Sequence, residues 1–172
     1  FGDGILHVSE IDYLVEVDMP IYGHEMAEIS TLEDKIGSYI ASLIEDKSTL
    51  QMGIGNIPNA ALTKLIHHKD LGLHTEMFSD GVIDLIEKDV INCNYKGTLR
   101  GRVLATFLIG SKRLYDYVND NPFIEMKESS MVNDTARIRK NSKMIAINSA
   151  IEVDITGQVC ADSIGANMYS GV

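Results

Sequence analysis

The chain has 172 residues, enough for one domain with a buried core, and its 45% hydrophobic and 23% charged content is that of a folded protein rather than a disordered one. Its 25 acidic against 15 basic side chains leave a formal net charge of −10, which argues against nucleic acid as the main partner, because phosphate binding needs clustered Lys and Arg. No stretch approaches the ~20 apolar residues of a membrane span, no signal-sequence pattern is read at Phe1, and Cys93 and Cys160 are too few and too far apart for a disulfide framework.

In chain order, the alternation from Ile5 to Val17 reads as extended chain and Met19 to His24 as a connector. Ser30 and Glu33 form a capping box, and Leu32, Ile36, Tyr39, Ile40, Leu43 and Ile44 repeat at helical spacing behind it. Asp46-Lys47-Ser48 ends that helix before a buried strand, Thr49 to Met52. The turn Gly53-Ile54-Gly55-Asn56-Ile57-Pro58 follows and opens a helix over Asn59 to Ile66, with Asn56 as its expected cap and Pro58 tolerated in the first turn. Leu71 to Thr75 is the next strand, and a helix carries Val82, Leu85 and Ile86. Asn92 to Gly101 reads as polar loop, and Arg102 to Leu108 as one buried strand. Ser111 is expected to cap the helix of Leu114, Tyr115 and Val118. Phe123 to Met126 and Lys143 to Ser149 read as strands, and Ile151–Ile155 with Gln158–Ala161 as a hairpin turning at Thr156-Gly157.

The β/α alternation predicts an α/β fold with a parallel open sheet and flanking helices. In such a unit the Thr49 and Leu71 strands lie side by side, so Glu76 and the glycine turn reach the same carboxyl-end edge. A carboxylate facing a loop of free backbone N–H groups can act as a nucleophile beside an oxyanion hole. The competing reading of Gly53-x-Gly55 is a dinucleotide fingerprint. That reading suffers because Pro58 replaces the third glycine and no acidic residue other than Glu76 ends the next strand. His74, two residues before Glu76, shares its face of the strand and is either a support for the carboxylate or substrate, or a structural histidine. His24-Glu25, His67-His68 and the cysteines lack any ligand spacing, and no metal is expected.

Five stretches carry a further signal: Gly2-Asp3 leading into Ile5 to Tyr13; the glycine turn; His74-Thr75-Glu76-Met77; Ala105 to Tyr115; and Ile147 to Asp154. Together they resemble the acetyl-CoA hydrolase/transferase family, most closely its 4-hydroxybutyrate CoA-transferase branch. The resemblance implies a CoA-transferase-like open sheet forming a partial C-terminal half of a two-half enzyme, with residues 1–29 as the inter-half link and 30–172 as the C-terminal α/β domain, truncated at its end. It implies acyl-CoA:carboxylate CoA transfer of the 4-hydroxybutyrate, butyrate or acetate type, with Glu76 carrying CoA as a glutamyl thioester. Gly53, Ile54, Gly55, Asn56, Ile57 and Ile151 are the implied CoA contacts.

Asn133, in Met131-Val132-Asn133-Asp134, matches a family asparagine at the reacting group, with a turn or cap role as its alternative. Asn148 lies in a CoA-proximal stretch, or satisfies buried backbone groups. Coenzyme A is then substrate and covalent intermediate, with no tightly bound cofactor. Acyl-CoA and small carboxylates are the partners, with no nucleic acid or membrane, and a cytoplasmic homo-oligomer is implied. Two alternatives remain: an acyl-CoA hydrolase using the same Glu76, and a non-catalytic CoA-binding segment. The 172 residues alone are expected to be catalytically silent.

Overall fold

The computed structural model describes residues 1–25 and 27–169; residues 170–172 of the expected 30–172 unit lie outside them. The first residues are tied to the body at Gly2, which bridges Met126, and at Asp3, whose carboxylate pairs with Lys127 at 2.7 Å. Instead of being extended throughout, the following stretch contains a 3-10 turn at Val8–Glu10, because the His7 ring accepts the Ser9 amide at 3.2 Å.

Helix α1 (Thr31–Ser42) starts at the expected capping box, with Ser30 Oγ accepting from Glu33 N–H at 3.3 Å and Glu33 Oε2 accepting from Ser30 N–H at 2.7 Å. Its larger apolar residues do not all turn inward: Leu32 and Leu43 are 68% and 79% exposed, and Tyr39 is also exposed. The buried face is Gly37 and Ala41, with Ile40 packed against the core and Ile44 buried just past the helix end. A Cβ on Gly37 would lie 2.6 Å from the Ala60 carbonyl carbon, so this helix pair packs at a distance that only small residues permit.

Strand β1 (Thr49–Met52) occupies the expected residues and leads into α2 (Asn56–Lys64), extended by a 3-10 turn at Leu65–His67. Strand β2 (Gly72–Leu73) pairs parallel with β1 in the register Leu50↔Leu73. The chain continues through β3 (Met77–Phe78) into α3 (Gly81–Glu87). The expected strand at 102–108 is broken into β4 (Val103–Ala105) and β5 (Phe107–Leu108). The cause is two-on-one pairing: the amides of Thr106 and Phe107 both donate to the Glu76 carbonyl, at 2.9 and 3.0 Å. This is the geometry of a bulge, which re-aims side chains beside it.

Helix α4 (Lys112–Val118) begins after Ser111, but the serine side chain does not cap it; Ser111 Oγ donates to Asp80. Strand β6 (Ile124–Met126) pairs parallel with β4, and β5 with β3. Two short helices, α5 (Ser129–Val132) and α6 (Thr135–Ile138), precede β7 (Met144–Ile147), which pairs parallel with the far side of β1. A His74↔Leu104 bridge joins the β7–β1–β2 group to β4 and β6, so the parallel strands adjoin across one core. Leu50, Leu73, Phe78, Val103 and Ile124 fill that core. The expected hairpin is present as β8 (Glu152–Val153) and β9 (Val159–Cys160). A second, unexpected hairpin follows as β10 (Ser163–Ile164) and β11 (Asn167–Met168). Among the described residues no helix is long and apolar enough to cross a membrane, and both cysteines are free thiols.

Candidate active site

Glu76 stands where the β2 strand line ends, its main-chain carbonyl held by the two amides at the β4–β5 break and its side chain exposed. Its carboxylate has a side-chain donor: Asn133 Nδ2 lies 3.1 Å from Glu76 Oε2. The neighbouring Thr75 points the other way and is buried. Its hydroxyl accepts the Met52 amide at 3.0 Å and lies 2.8 Å from the Met77 carbonyl, which locks the Glu76 segment to the end of β1. The Thr75 hydroxyl therefore ties the Glu76 segment to Met52, the residue before the glycine turn.

The turn itself follows from two glycines with different tasks. A Cβ on Gly53 would meet Asn148 Oδ1 at 2.7 Å, so the backbone runs against β7's end with no room for a side chain. Gly55 has φ +113°, a conformation that L side chains rarely adopt, and it takes the N-cap position of α2. Asn56 is thus not the cap. It is the first helical residue, and the Glu33 carboxylate near it is held below its usual range by its bonds to Ser30 first and by the Asn56 side chain after them. Pro58 sits in the first turn as expected. The Gly53 amide is not a free donor, because it bonds the Ile147 carbonyl at 2.7 Å. The amides of Asn56 and Ile57 lie in the first turn, where no intrahelical acceptor exists.

Three cavities meet around these residues. The largest, about 850 Å³, is lined by Gly53, Ile54, Glu76, Asn148 and Ile151 among others. A second, about 440 Å³, lies along the same turn at Gly53 to Asn56 and reaches Tyr22, His24 and Tyr115. The third, about 200 Å³, sits under Glu76 and is walled by His74, Asn133, Val132, Ile138 and Met144. Glu76 borders the first and third. Of the candidate residues, Ile57 lines none of the three; it is half-buried within α2. Asn148 does not satisfy buried backbone; it is exposed, and its amide exchanges hydrogen bonds with Gln51, donating to Gln51 Oε1 at 2.9 Å.

Three residues at the site escaped sequence reasoning. Thr75 and Asn141 form bonds to partners too far along the chain for local pattern to reveal. Lys96, in a loop read as polar, is 3% exposed, and its ammonium donates to the carbonyls of Leu73 at 2.7 Å and Arg102 at 2.6 Å. Burial lowers its pKa to about 8, and burial also pushes the nearby Cys93 thiol up.

The parallel α/β arrangement, with a carboxylate and a glycine turn at one carboxyl edge, has matches among known proteins, and the chain is similar to the acetyl-CoA hydrolase/transferase family. Residues 110–172 match the model of the acetyl-CoA hydrolase/transferase C-terminal domain. Over 99% of its length the chain is 49% identical to the 4-hydroxybutyrate coenzyme A transferase of Clostridium kluyveri, of which it covers 40%. It is 44% identical to the succinyl-CoA:cyclohexane-1-carboxylate CoA transferase of Geobacter metallireducens, covering 39% of it. The crystal structure of 4-hydroxybutyrate CoA-transferase from Porphyromonas gingivalis superposes with a TM-score of 0.88 at 45% identity, over 92% of this chain and 41% of that one. The chain thus spans about 40% of the length of these three relatives.

Proposed function

We propose that the protein containing this chain moves coenzyme A between an acyl-CoA and a carboxylate, with Glu76 as the nucleophile. The observation that carries this reading is an exposed carboxylate, steadied by the Asn133 amide, between a large cavity and a small one. The names of the similar proteins support the same chemistry, and residues 1–29 then serve as a link to a further part of the protein.

A Glu76 oxygen attacks the thioester carbonyl of the donor, the tetrahedral intermediate expels CoA thiolate, and an acyl-glutamyl anhydride is left. The thiolate attacks the glutamyl carbonyl, the donor carboxylate departs, and Glu76 holds CoA as a thioester. An incoming carboxylate attacks that carbonyl, releases thiolate and forms a new anhydride; the thiolate then attacks its acyl carbonyl, giving the new acyl-CoA and restoring Glu76. Each tetrahedral species bears an oxyanion, for which the Asn133 amide, on the wall of the small cavity, is the donor beside Glu76; the first turn of α2 meets the neighbouring cavity at Asn56. Gly53, Ile54, Gly55, Asn56 and Ile151 are the CoA contacts in this reading, and Asn148 flanks them. With a net charge of −10 the chain offers the CoA phosphates no general positive field, so local cations and backbone donors are left to receive them.

Acetate dependence tests the reading. The protein from the whole reading frame, given an acyl-CoA, should form acetyl-CoA only when acetate is added. Release of free CoA at the same rate without acetate would identify a hydrolase instead. Borohydride added after acyl-CoA should reduce Glu76, since a thioester is electrophilic and a carboxylate is not; labelling at other residues with Glu76 intact would count against it.

A further inference from the structure

The His74 ring is 1% exposed and bonded at both nitrogens, to Val132 O from Nε2 at 2.7 Å and to Asn141 Nδ2 from Nδ1 at 2.8 Å. The orientation of Asn141 is set independently, because its Oδ1 accepts two backbone amides, Gly97 N at 3.1 Å and Thr98 N at 3.2 Å. Its NH₂ group therefore faces the ring. His74 Nδ1 must then accept, the ring proton resides on Nε2, and Nε2–H donates to Val132 O. A protonated ring would set an N–H of Nδ1 against the Asn141 NH₂. Burial, aided by the Lys96 ammonium, opposes that charge, and Glu76 on the cavity wall is the other titratable group facing the ring.

Both ends of this pair reach the short helices that flank Asn133. Val132 closes α5, where its carbonyl lacks an intrahelical donor, and His74 supplies one. Asn141 Nδ2 also lies 3.3 Å from the carbonyl of Ile138, the last residue of α6. Asn133 sits between the two helices, followed by Asp134, which caps α6 by accepting the Ala136 amide at 2.8 Å. The turn bearing the Glu76 partner is thus pinned on both sides by side chains that do not themselves touch Glu76.

The geometry points to His74 and Asn141 as positioning residues, which hold the Val132–Asn133 turn so that the Asn133 amide meets the Glu76 carboxylate. Their effect on turnover rests on the CoA-transfer reading of Glu76; the positioning itself does not.

Two substitutions of similar size separate positioning from mere filling. In His74→Gln the side-chain NH₂ takes the place of ring Nε2 and keeps the bond to Val132 O. His74→Asn keeps an acceptor near Nδ1 but cannot reach that carbonyl. In the protein from the whole reading frame, H74Q is expected within about threefold of the parent kcat, and H74N about 10- to 100-fold lower with KM for acyl-CoA little changed. The nitrogen NMR shift of the Asn133 side-chain amide should move in H74N and stay in H74Q. Equal loss in both variants, or parent-like kcat and shift in H74N, overturns the proposal. Should either variant fail to fold, the ring nitrogen shifts of His74 in the unsubstituted protein still decide it: a neutral ring protonated at Nε2 is required, and an Nδ1–H ring or an imidazolium refutes it. A parent protein without CoA transfer would sink the functional reading, while the Asn133 shift would still judge the positioning.

Discussion

Asn133 and Glu76, 57 residues apart in the chain, meet through a 3.1 Å hydrogen bond at the edge of a cavity. The amide donor restrains the carboxylate through one oxygen, Oε2. Asn133→Ala should lower kcat for CoA transfer by about 100-fold, the usual cost of one oxyanion donor, while thermal unfolding stays near the parent because the side chain is exposed. Steady-state kinetics with an acyl-CoA and acetate, beside a melting curve, would check both halves. Parent-like kcat would remove Asn133 from the site.

Glu76→Ala should abolish transfer, and Glu76→Asp should keep about 1% of it or less, since a carboxylate drawn back by one methylene is misplaced by ~1 Å. Neither change should weaken the fold, because the residue's structural bonds run through its main-chain carbonyl. Substantial transfer by the alanine variant would assign the nucleophile elsewhere.

Gly53→Ala should destabilise the fold by about 1–3 kcal/mol, because the new methyl would stand 2.7 Å from Asn148 Oδ1 and 3.0 Å from the Ile147 carbonyl. CoA binding should weaken with it, as the turn moves away from β7. Urea denaturation and calorimetry with CoA would measure the two effects; an unchanged midpoint would contradict the packing.

Lys96 makes stability depend on pH in a direction that can be worked out. With the folded pKa near 8 and the unfolded one near its ordinary 10.5, the unfolded chain binds more protons between those values. Stability therefore rises with pH across that window, by up to about 3 kcal/mol, and that increment is lost as pH falls through 8. Lys96→Met should flatten the rise, which separates it from the titration of Cys93. Denaturant unfolding at pH 7.5 and pH 10 would show it, and an identical slope in both proteins would refute it.

Where structure follows from neighbours in sequence it was legible: β1, the capping box of Ser30 and Glu33, and the turn at Thr156-Gly157 each stand at the residues their local chemistry indicated. The failures share a cause in distant partners. Nothing in Arg102 to Leu108 announces that Thr106 and Phe107 will bond one carbonyl at Glu76, so the sequence predicts one continuous strand where the structure has two. Helical spacing identifies α1 and the inward Ile40 and Ile44, whereas contact with Ala60 also draws Gly37 inside and leaves Leu32 outside. At the site, Glu76 and the glycine turn were visible as a pattern and as a resemblance. Asn141 was not, since its meaning lies in amides of Gly97 and Thr98 and a ring at His74.

The pairing of β1 with β7 has a consequence for how the site comes into being. Gln51 and Asn148 face each other across 97 residues of sequence, and the Gly53 turn rests on the carbonyl of Ile147. Closing so long a loop before any contact rewards it is slow, so this parallel ladder should be among the last features to form. On a ribosome, the glycine turn would emerge well before the strand that shapes it. A ligand would then meet no formed pocket on a half-made chain, and the Glu76 carboxylate would gain its surroundings only when the β7 strand is in place.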